Sequence, residues 1–384
     1  MKSAIKLLSK EIYKTCALVI LVLLGLFTFF ETIEEFDKLN EIYTLWVMLA
    51  LQAFQLPTRL YDILPIGLLI GAVVALANLA QRNELVILRV SGLSSRKLLL
   101  MLWWITVPIV IFATLLSEVI TPWADQRVSA INMAVLGKKS NQLDSGYWFR
   151  EPSTKDTYRV INLQNLIDNK TVEGIKVYEY SIVDNQFKRL LIAEKGELAN
   201  KELKLFKVIQ TDSLINMDKV LNTEHDPVIK GSNSQKMDMV SLPTSLTESR
   251  LLASELKPDR MSTLKLLDYL DYLEENNLEK NRHVVALWRK LSYPFALIVM
   301  ITLATPLGFV QNRKGGVGAK IFIGILIGIV FFMVNQLSLN MGMLSNLPPW
   351  ITALLPNIIA MVLAMGALYL IERKPKPKPP ILST

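Results

Sequence analysis

The chain has 384 residues, 51% of them hydrophobic and 20% charged. Its mean hydropathy of +0.34 excludes an ordinary soluble globule, and the charge excludes a protein lying wholly in lipid. A net charge of +8 would suit nucleic acid in a soluble chain, but here the basic residues flank apolar runs and read as membrane topology. The single cysteine, Cys16, excludes an internal disulfide.

A bilayer core takes about 20 apolar residues as helix. The first such run is Thr15 to Phe30, with Lys14 able to snorkel at one end. Acidic residues follow it with no small-residue cleavage site, so it reads as a retained span rather than a signal peptide. Leu60 to Ala80, Leu98 to Ser117 and Leu291 to Asn312 are the next three runs. Ile321 to Ile371 holds no charged residue over 51 positions, which suits two helices broken between Gly342 and the Pro348-Pro349 pair. The spacing predicts six spans.

Loop charges orient them. Lys2, Lys6, Lys10 and Lys14 precede the first span, Arg82, Arg89, Arg96 and Lys97 follow the second, Arg313, Lys314 and Lys320 follow the fourth, and Arg373, Lys374, Lys376 and Lys378 follow the sixth. The short loops at 40–56 and 341–350 have no basic residue. The positive-inside rule puts both termini in the cytoplasm. Residues 120–290 are then extracytoplasmic.

Within that loop, Gly146 to Arg150, Thr157 to Leu163, Gly174 to Tyr180, Phe187 to Ala193 and Lys204 to Thr211 are rich in Val, Ile, Tyr and Phe. Turn residues separate them, as in an antiparallel sandwich or open barrel. Ile175, Val177 and Tyr180 are expected on one face, Lys176 and Glu179 on the other. Ser262 to Lys290 reads as a helix capped by Ser262, with Leu264, Leu267, Leu270 and Leu273 as its stripe. Arg282, Arg289 and Lys290 are then either a solvated anchoring face or a contact for an anionic headgroup.

The segment from Gln81 to Ser95 predicts a short helix. Asn83 is placed to cap it, Glu84 stands in its first turn, and Gly92 ends it before Ser94 or Ser95 starts the next. Leu85, Val86, Ile87, Leu88 and Val90 give it more apolar surface than a short cytoplasmic loop needs. Such a helix lies on the membrane or docks into a partner. An acid gains little at an anionic leaflet, and a carboxylate on an apolar knob suits a basic groove.

Other chemistry is excluded. Gly137-Lys138-Lys139-Ser140 lacks the leading glycine of a phosphate loop, since Asn132 stands there. Arg313 to Gly318 is a glycine-rich connector. His225 and His283 have no partners at metal spacing. No serine sits in a nucleophile elbow. Neither metal nor cofactor is expected, and any ATP hydrolysis must come from another chain.

Leu64-Pro65-Ile66-Gly67-Leu68-Leu69-Ile70-Gly71, Leu79-Ala80-Gln81-Arg82-Asn83-Glu84-Leu85-Val86 and Ser91-Gly92 resemble the LptF/LptG permease family. These are membrane subunits of the ABC transporter that extracts lipopolysaccharide from the bacterial inner membrane. The resemblance covers essentially the whole chain. Trp288, the stretch Phe331 to Gln336, and Leu347-Pro348-Pro349 with Ala353 to Pro356 distinguish between its two paralogues.

The resemblance implies a six-helix membrane protein carrying a periplasmic all-β, jellyroll-like domain. Residues 1–120 would hold the first three spans with a coupling helix at about 82–93. Residues 121–261 would be the periplasmic domain, and 262–384 a linker helix, three spans and a basic tail. The chain would be a non-enzymatic permease subunit pairing with its paralogue (LptF beside LptG) above an LptB ATPase dimer. LptC and LptA would continue the bridge.

Glu84, Leu85, Leu88, Arg89 and Gly92 would contact the ATPase. Phe30, Glu34 and Lys38 near the first span, Arg127, Arg289 and Lys290, and Phe331, Phe332 and Asn335 on the fifth would face lipopolysaccharide. The family often carries basic residues at the outer end of helix one. This chain has Glu31, Glu34 and Glu35 there with only Lys38 basic, so Arg127, Arg289, Lys290 or the partner subunit would supply the positive charge. A membrane-anchored scaffold and a lipoprotein-release subunit are the rival readings. Six spans argue against the latter, and an acid-bearing apolar cytoplasmic helix argues against the former.

Overall fold

The computed structural model describes residues 2–136, 147–166, 171–212, 233–246, 257–309 and 317–373, apart from isolated positions 42, 93, 155, 200–201, 245, 277 and 345–346. Gly137 to Ser140, Gly146, His225 and Arg313 to Gly316 lie outside the described residues. The chain divides into two compact units. One comprises Met1–Val128, Pro258–Leu266 and Asn281–Thr384, the other Ser129–Lys257 and Leu267–Lys280.

Among the described residues, six helices are long and apolar enough to cross a bilayer. The helices are α1 (Lys2–Phe36), α2 (Leu45–Gln81), the short α3 (Glu84–Val90) and α4 (Ser95–Leu115). A π turn at Leu116–Ile120 carries α4 on into α5 (Thr121–Leu136). A 3-10 turn at Pro258–Arg260 precedes α6 (Thr263–Glu275), then α7 (Asn281–Phe309), α8 (Val317–Leu344) and α9 (Pro349–Arg373) follow. Several helices overrun the apolar runs. α2 begins at Leu45 rather than Leu60 because Trp46 to Leu56 can itself be helical and Pro57 is accommodated inside the helix. The third span continues past Ser117 through the π turn.

α2 is the central helix, buried on most sides, as a helix apolar all round should be. Leu64, Leu68, Leu69, Ala72, Val73 and Leu76 form one core with Leu297, Met300, Ile301 and Ala304 of α7 and Leu98, Leu99 and Leu102 of α4. Small residues bring α1 close. A Cβ on Gly71 would lie 2.6 Å from both Cα and Sγ of Cys16, and one on Gly67 would lie 2.5 Å from Ile20. Close backbone approach at glycines spaced by four is how helices associate where lipid removes the hydrophobic drive. Side-chain bonds add register: Tyr13 donates to the Ile105 carbonyl at 2.8 Å, Trp103 to Thr302 Oγ1 at 3.0 Å, and Ser338 to the Thr352 carbonyl at 2.7 Å.

The second unit is a six-stranded antiparallel meander, β1 to β6 in sequence order. Its strands are β1 (Tyr147–Pro152), β2 (Thr157–Leu166), β3 (Thr171–Ser181), β4 (Phe187–Ala199), β5 (Glu202–Asp212) and β6 (Asn233–Pro243). The expected strands are present but longer. β6 was not anticipated, since Asn233 to Pro243 carries few β-branched residues and mostly exposed side chains. The inner face holds Phe149, Ile161, Leu163, Val172, Ile175, Val177, Leu191 and Leu205.

Three sequence expectations fail here. Glu179, not Tyr180, shares the inner face with Ile175 and Val177, because side chains alternate from Ile175 to Ser181. Tyr180 stacks on Tyr158 on the other face, with ring centroids 5.4 Å apart. The stripe of α6 is Leu266, Tyr269, Leu270 and Leu273, while Leu264 is 79% exposed. The predicted helix from Ser262 to Lys290 is also interrupted between α6 and α7. Ser262 does sit at its start, its hydroxyl accepting from Lys265 N–H at 3.5 Å.

Glu179 is held inside by Ser153 Oγ at 2.6 Å and by the guanidinium of Arg189. Across the sheet, Arg159 donates to the Pro243 carbonyl at 2.9 Å and Thr244 to Glu151 at 2.7 Å, tying the first strands to the end of the last. Burial raises the Glu179 carboxyl, but the Ser153 hydrogen bond and the charges of Arg189 and Arg159 outweigh it and hold it below the ordinary carboxylate value. A carboxyl depressed in the folded state contributes stability that is full above its unfolded pKa and lost as pH falls through the folded one. Amide exchange in β3 and β4 of the full-length protein should therefore speed up as pH drops below the ordinary glutamate range, after correction for the intrinsic rate. Glu179→Gln should cost about 1–3 kcal/mol at neutral pH and flatten that dependence; a variant with unchanged stability and slope contradicts the assignment.

Candidate functional site

α2 ends at Gln81, and the chain reverses through Arg82 and Asn83. Asn83 adopts φ 57°, the left-handed conformation its short polar side chain tolerates. Its carbonyl accepts from Ile87 N–H at 3.0 Å. α3 follows for seven residues. Gly92, at φ 89°, terminates it as the sequence predicts, and Ser94 caps α4 by accepting from Lys97 N–H at 3.4 Å.

α3 has two faces. Leu85 is buried in the helical core and Leu88 is half-buried. Ile87 is 62% and Val90 84% exposed. Glu84 Oε2 is shielded from solvent and has no hydrogen-bond partner among the described residues. The side chains of Val86 and Arg89 lie outside the described residues. The arrangement sets an apolar, solvent-exposed edge beside a carboxylate with one shielded oxygen.

At the far ends of the spans lies a belt of charges. Lys290 on α7 reaches Glu118 in the π turn at 3.2 Å. Glu118 also accepts from the backbone N–H and the hydroxyl of Thr263, both at 2.7 Å, so it caps α6 from outside. Arg289 reaches Asp259 at 3.0 Å and Asp62 on α2 at 3.6 Å. Asp125 receives Arg260 at 3.5 Å and the Thr58 hydroxyl at 3.2 Å. Arg59, on the same turn of α2, pairs with Glu31 of α1 and donates to Gln55 at 2.8 Å and Thr28 at 3.3 Å.

The loop between α1 and α2 closes the series. Tyr43 donates to Glu35 at 2.8 Å, and burial, then this hydrogen bond and the charge of Glu35, push its phenol above its ordinary value, so it stays a donor.

The substrate candidates thus divide. Arg289, Phe331, Phe332 and Asn335 line one cavity of about 50 Å³, with Asp62 and Asn357. Asn357 is 1% exposed, and its Oδ1 has no partner among the described residues. Lys290 is turned to Glu118 instead. Phe30 and Glu34 are exposed on the last turns of α1, and Lys38 is exposed just beyond its end. Arg127 lies over Trp123, 6.0 Å from the ring centroid. Sequence reading had left Glu118, Asp125, Asp259, Arg260 and Arg59 aside. Their signal was present as charges at the edges of apolar runs, which in membrane helices call for named partners.

Six long apolar helices, an inserted β domain and a short two-faced helix between the second and third spans define a multi-pass transport subunit of the permease type. The family described as "Lipopolysaccharide export system permease LptF/LptG" matches residues 6–373, and the chain belongs to it. It is 26% identical over 369 residues to the lipopolysaccharide export system permease protein LptG of Haemophilus influenzae. It is 23% identical over 381 residues to the protein of the same name in Escherichia coli K12. Each alignment covers 96% of this chain and 97% of the relative.

Glu118→Gln alone leaves the Lys290 ammonium buried with its main partner neutralised, which should cost about 3 kcal/mol. The double variant Glu118→Gln, Lys290→Met should recover most of that loss. Thermal unfolding in detergent, followed by tryptophan fluorescence, checks it. Additive losses in the double variant would mean the two residues are not coupled.

Proposed function

We propose that this chain is the permease subunit that extracts lipopolysaccharide from the bacterial inner membrane and hands it to a periplasmic bridge, driven by ATP hydrolysis in a separate subunit seated on α3. The family membership supports the substrate class, and LptG is the name its relatives carry. The observation that carries the coupling role is α3 itself. An exposed Ile87 and Val90 beside a carboxylate oxygen without a donor is a docking knob for a groove with a basic residue.

The orientation follows from loop charge. Lysines and arginines flank the ends of the spans that share a side with α3, and the loops on the opposite side at 40–56 and 341–350 lack them. An odd number of spans separates α3 from the β domain. The termini and α3 are cytoplasmic in this reading, and the β domain is periplasmic. The residues 1–120, 121–261 and 262–384 then act as coupling half, bridge domain and second transmembrane half. The partners are an LptB dimer below, the paralogue LptF alongside, and LptC and LptA for the bridge. Edge pairing of β strands is the mode such a bridge would use. Phe331, Phe332 and Asn335, with Phe30, Glu34, Lys38, Arg127, Arg289 and Lys290, are the proposed substrate-facing set. Leu85, Leu88, Arg89 and Gly92 support Glu84 in coupling.

Glu84→Arg should replace attraction with repulsion and reduce retained ATPase by about tenfold or more. Val90→Asp should act in the same direction by placing a charge in an apolar contact. Co-purification of the ATPase and lipopolysaccharide release from proteoliposomes measure it. Full retention and full release in both variants would remove α3 from the coupling role.

A further inference from the structure

α1 is held by its two ends in different ways. In its first half, Leu8, Ile12 and Cys16 are buried at every fourth residue, Cys16 lies against Gly71, and Tyr13 bonds to α4. In its second half the same stripe continues, but no described residue from 17 to 41 is buried. Leu21 is 71% and Phe29 60% exposed. α1 also stands away from α4 there, leaving an apolar groove of about 520 Å³ bordered by Leu21, Leu24, Leu60, Leu64, Ile109 and Phe112.

Towards the end of this second half, Arg59 ties α1 to α2. Its side chain is 8% exposed, while that of Glu31 is 44% exposed. The guanidinium therefore comes from the interior and its partner stands at the surface. Thr28, one turn back on α1, takes a second donor. Gln55 on α2 takes a third. A planar fork of donors fits a phosphate as well as it fits a carboxylate. The ends of the spans are also the depth at which lipid headgroups supply phosphates.

We propose that Arg59 is a masked anion site: a phosphate carried by a lipid headgroup displaces the Glu31 carboxylate from it and so releases the outer half of α1 from α2. The exchange keeps the guanidinium paired throughout, which avoids stranding a buried charge. Glu31 goes to water, where an exposed carboxylate is well solvated. The first half of α1 stays clamped at Gly71 and Tyr13, so the freed segment swings about the region of Cys16 to Ile20. That the phosphate belongs to lipopolysaccharide rests on the export reading; the exchange itself does not.

The test uses the full transporter complex in nanodiscs with a spin label at Phe30→Cys, since the native Cys16 is only 3% exposed. Without ligand, Glu31→Gln should raise label mobility over the parent. Glu31→Asp, which keeps the charge but shortens the reach, should fall between them and serves if the first variant does not assemble. Lipid A should mobilise the parent label, and dephosphorylated lipid A should not. In Arg59→Gln the label should be mobile from the start, and the affinity for lipid A should fall about tenfold, the loss of one charge-assisted contact. A response to phosphatidylglycerol equal to that to lipid A supports the anion site and counts against the export reading as its source. Unchanged mobility in both Glu31 variants, or equal responses to lipid A with and without phosphate, overturns the proposal.

Discussion

Hydrocarbon offers no hydrogen-bond partner, so every charge carried on a spanning helix has to be answered by another group of the protein or reach the interface. In this chain that requirement is concentrated in one belt. Glu118 serves Lys290 and the start of α6 together. Arg289 joins α7 to α2 and to the 3-10 turn, Asp125 joins the third span to Arg260 and Thr58, and Arg59 joins α2 to α1. Losing Glu118 would leave the buried Lys290 ammonium without its acid, at a cost of several kcal/mol. The helices are therefore fixed in register by charge at one level, while glycine contacts and apolar packing around α2 fix their spacing below it.

The contrast with α3 gives the function its direction. Each belt charge is paired with an opposite charge among the described residues. Glu84 instead holds an oxygen withdrawn from water with no hydrogen bond among the described residues, beside apolar side chains open to solvent. The proposed ATPase contact follows the end of α2 and the proposed release of α1 lies at Arg59 in its first half, and the continuous helix from Leu45 to Gln81 links the two.

Much of the fold was legible because hydropathy and charge act over whole segments. The six spans and the short helix at Glu84 follow from run length, capping residues and Gly92. The strands at Thr157, Thr171 and Phe187 follow from composition. What escaped reading depends on contacts between segments. Glu179 looks like a surface residue until Arg189 and Ser153 are placed beside it. The stripe of α6 was displaced because Leu264 and Leu266 are equally apolar, and only packing selects between them. Lys290 and Arg289 looked like free cations because their acids lie far off in sequence, at Glu118, Asp62 and Asp259. The gathering of Phe331, Phe332 and Asn335 with Arg289 around one cavity likewise needs α7 beside α8.

The proposed topology puts Val90 in the cytoplasm and Val183 in the periplasm. Single cysteines at Val90 and Val183, which are 84% and 87% exposed, test this directly in intact spheroplasts with a membrane-impermeant maleimide. The account predicts that the Val183 position reacts at once and that the Val90 position reacts only after permeabilisation, more slowly when the ATPase is bound. Reaction of both positions from outside, or of Val90 alone, would contradict it.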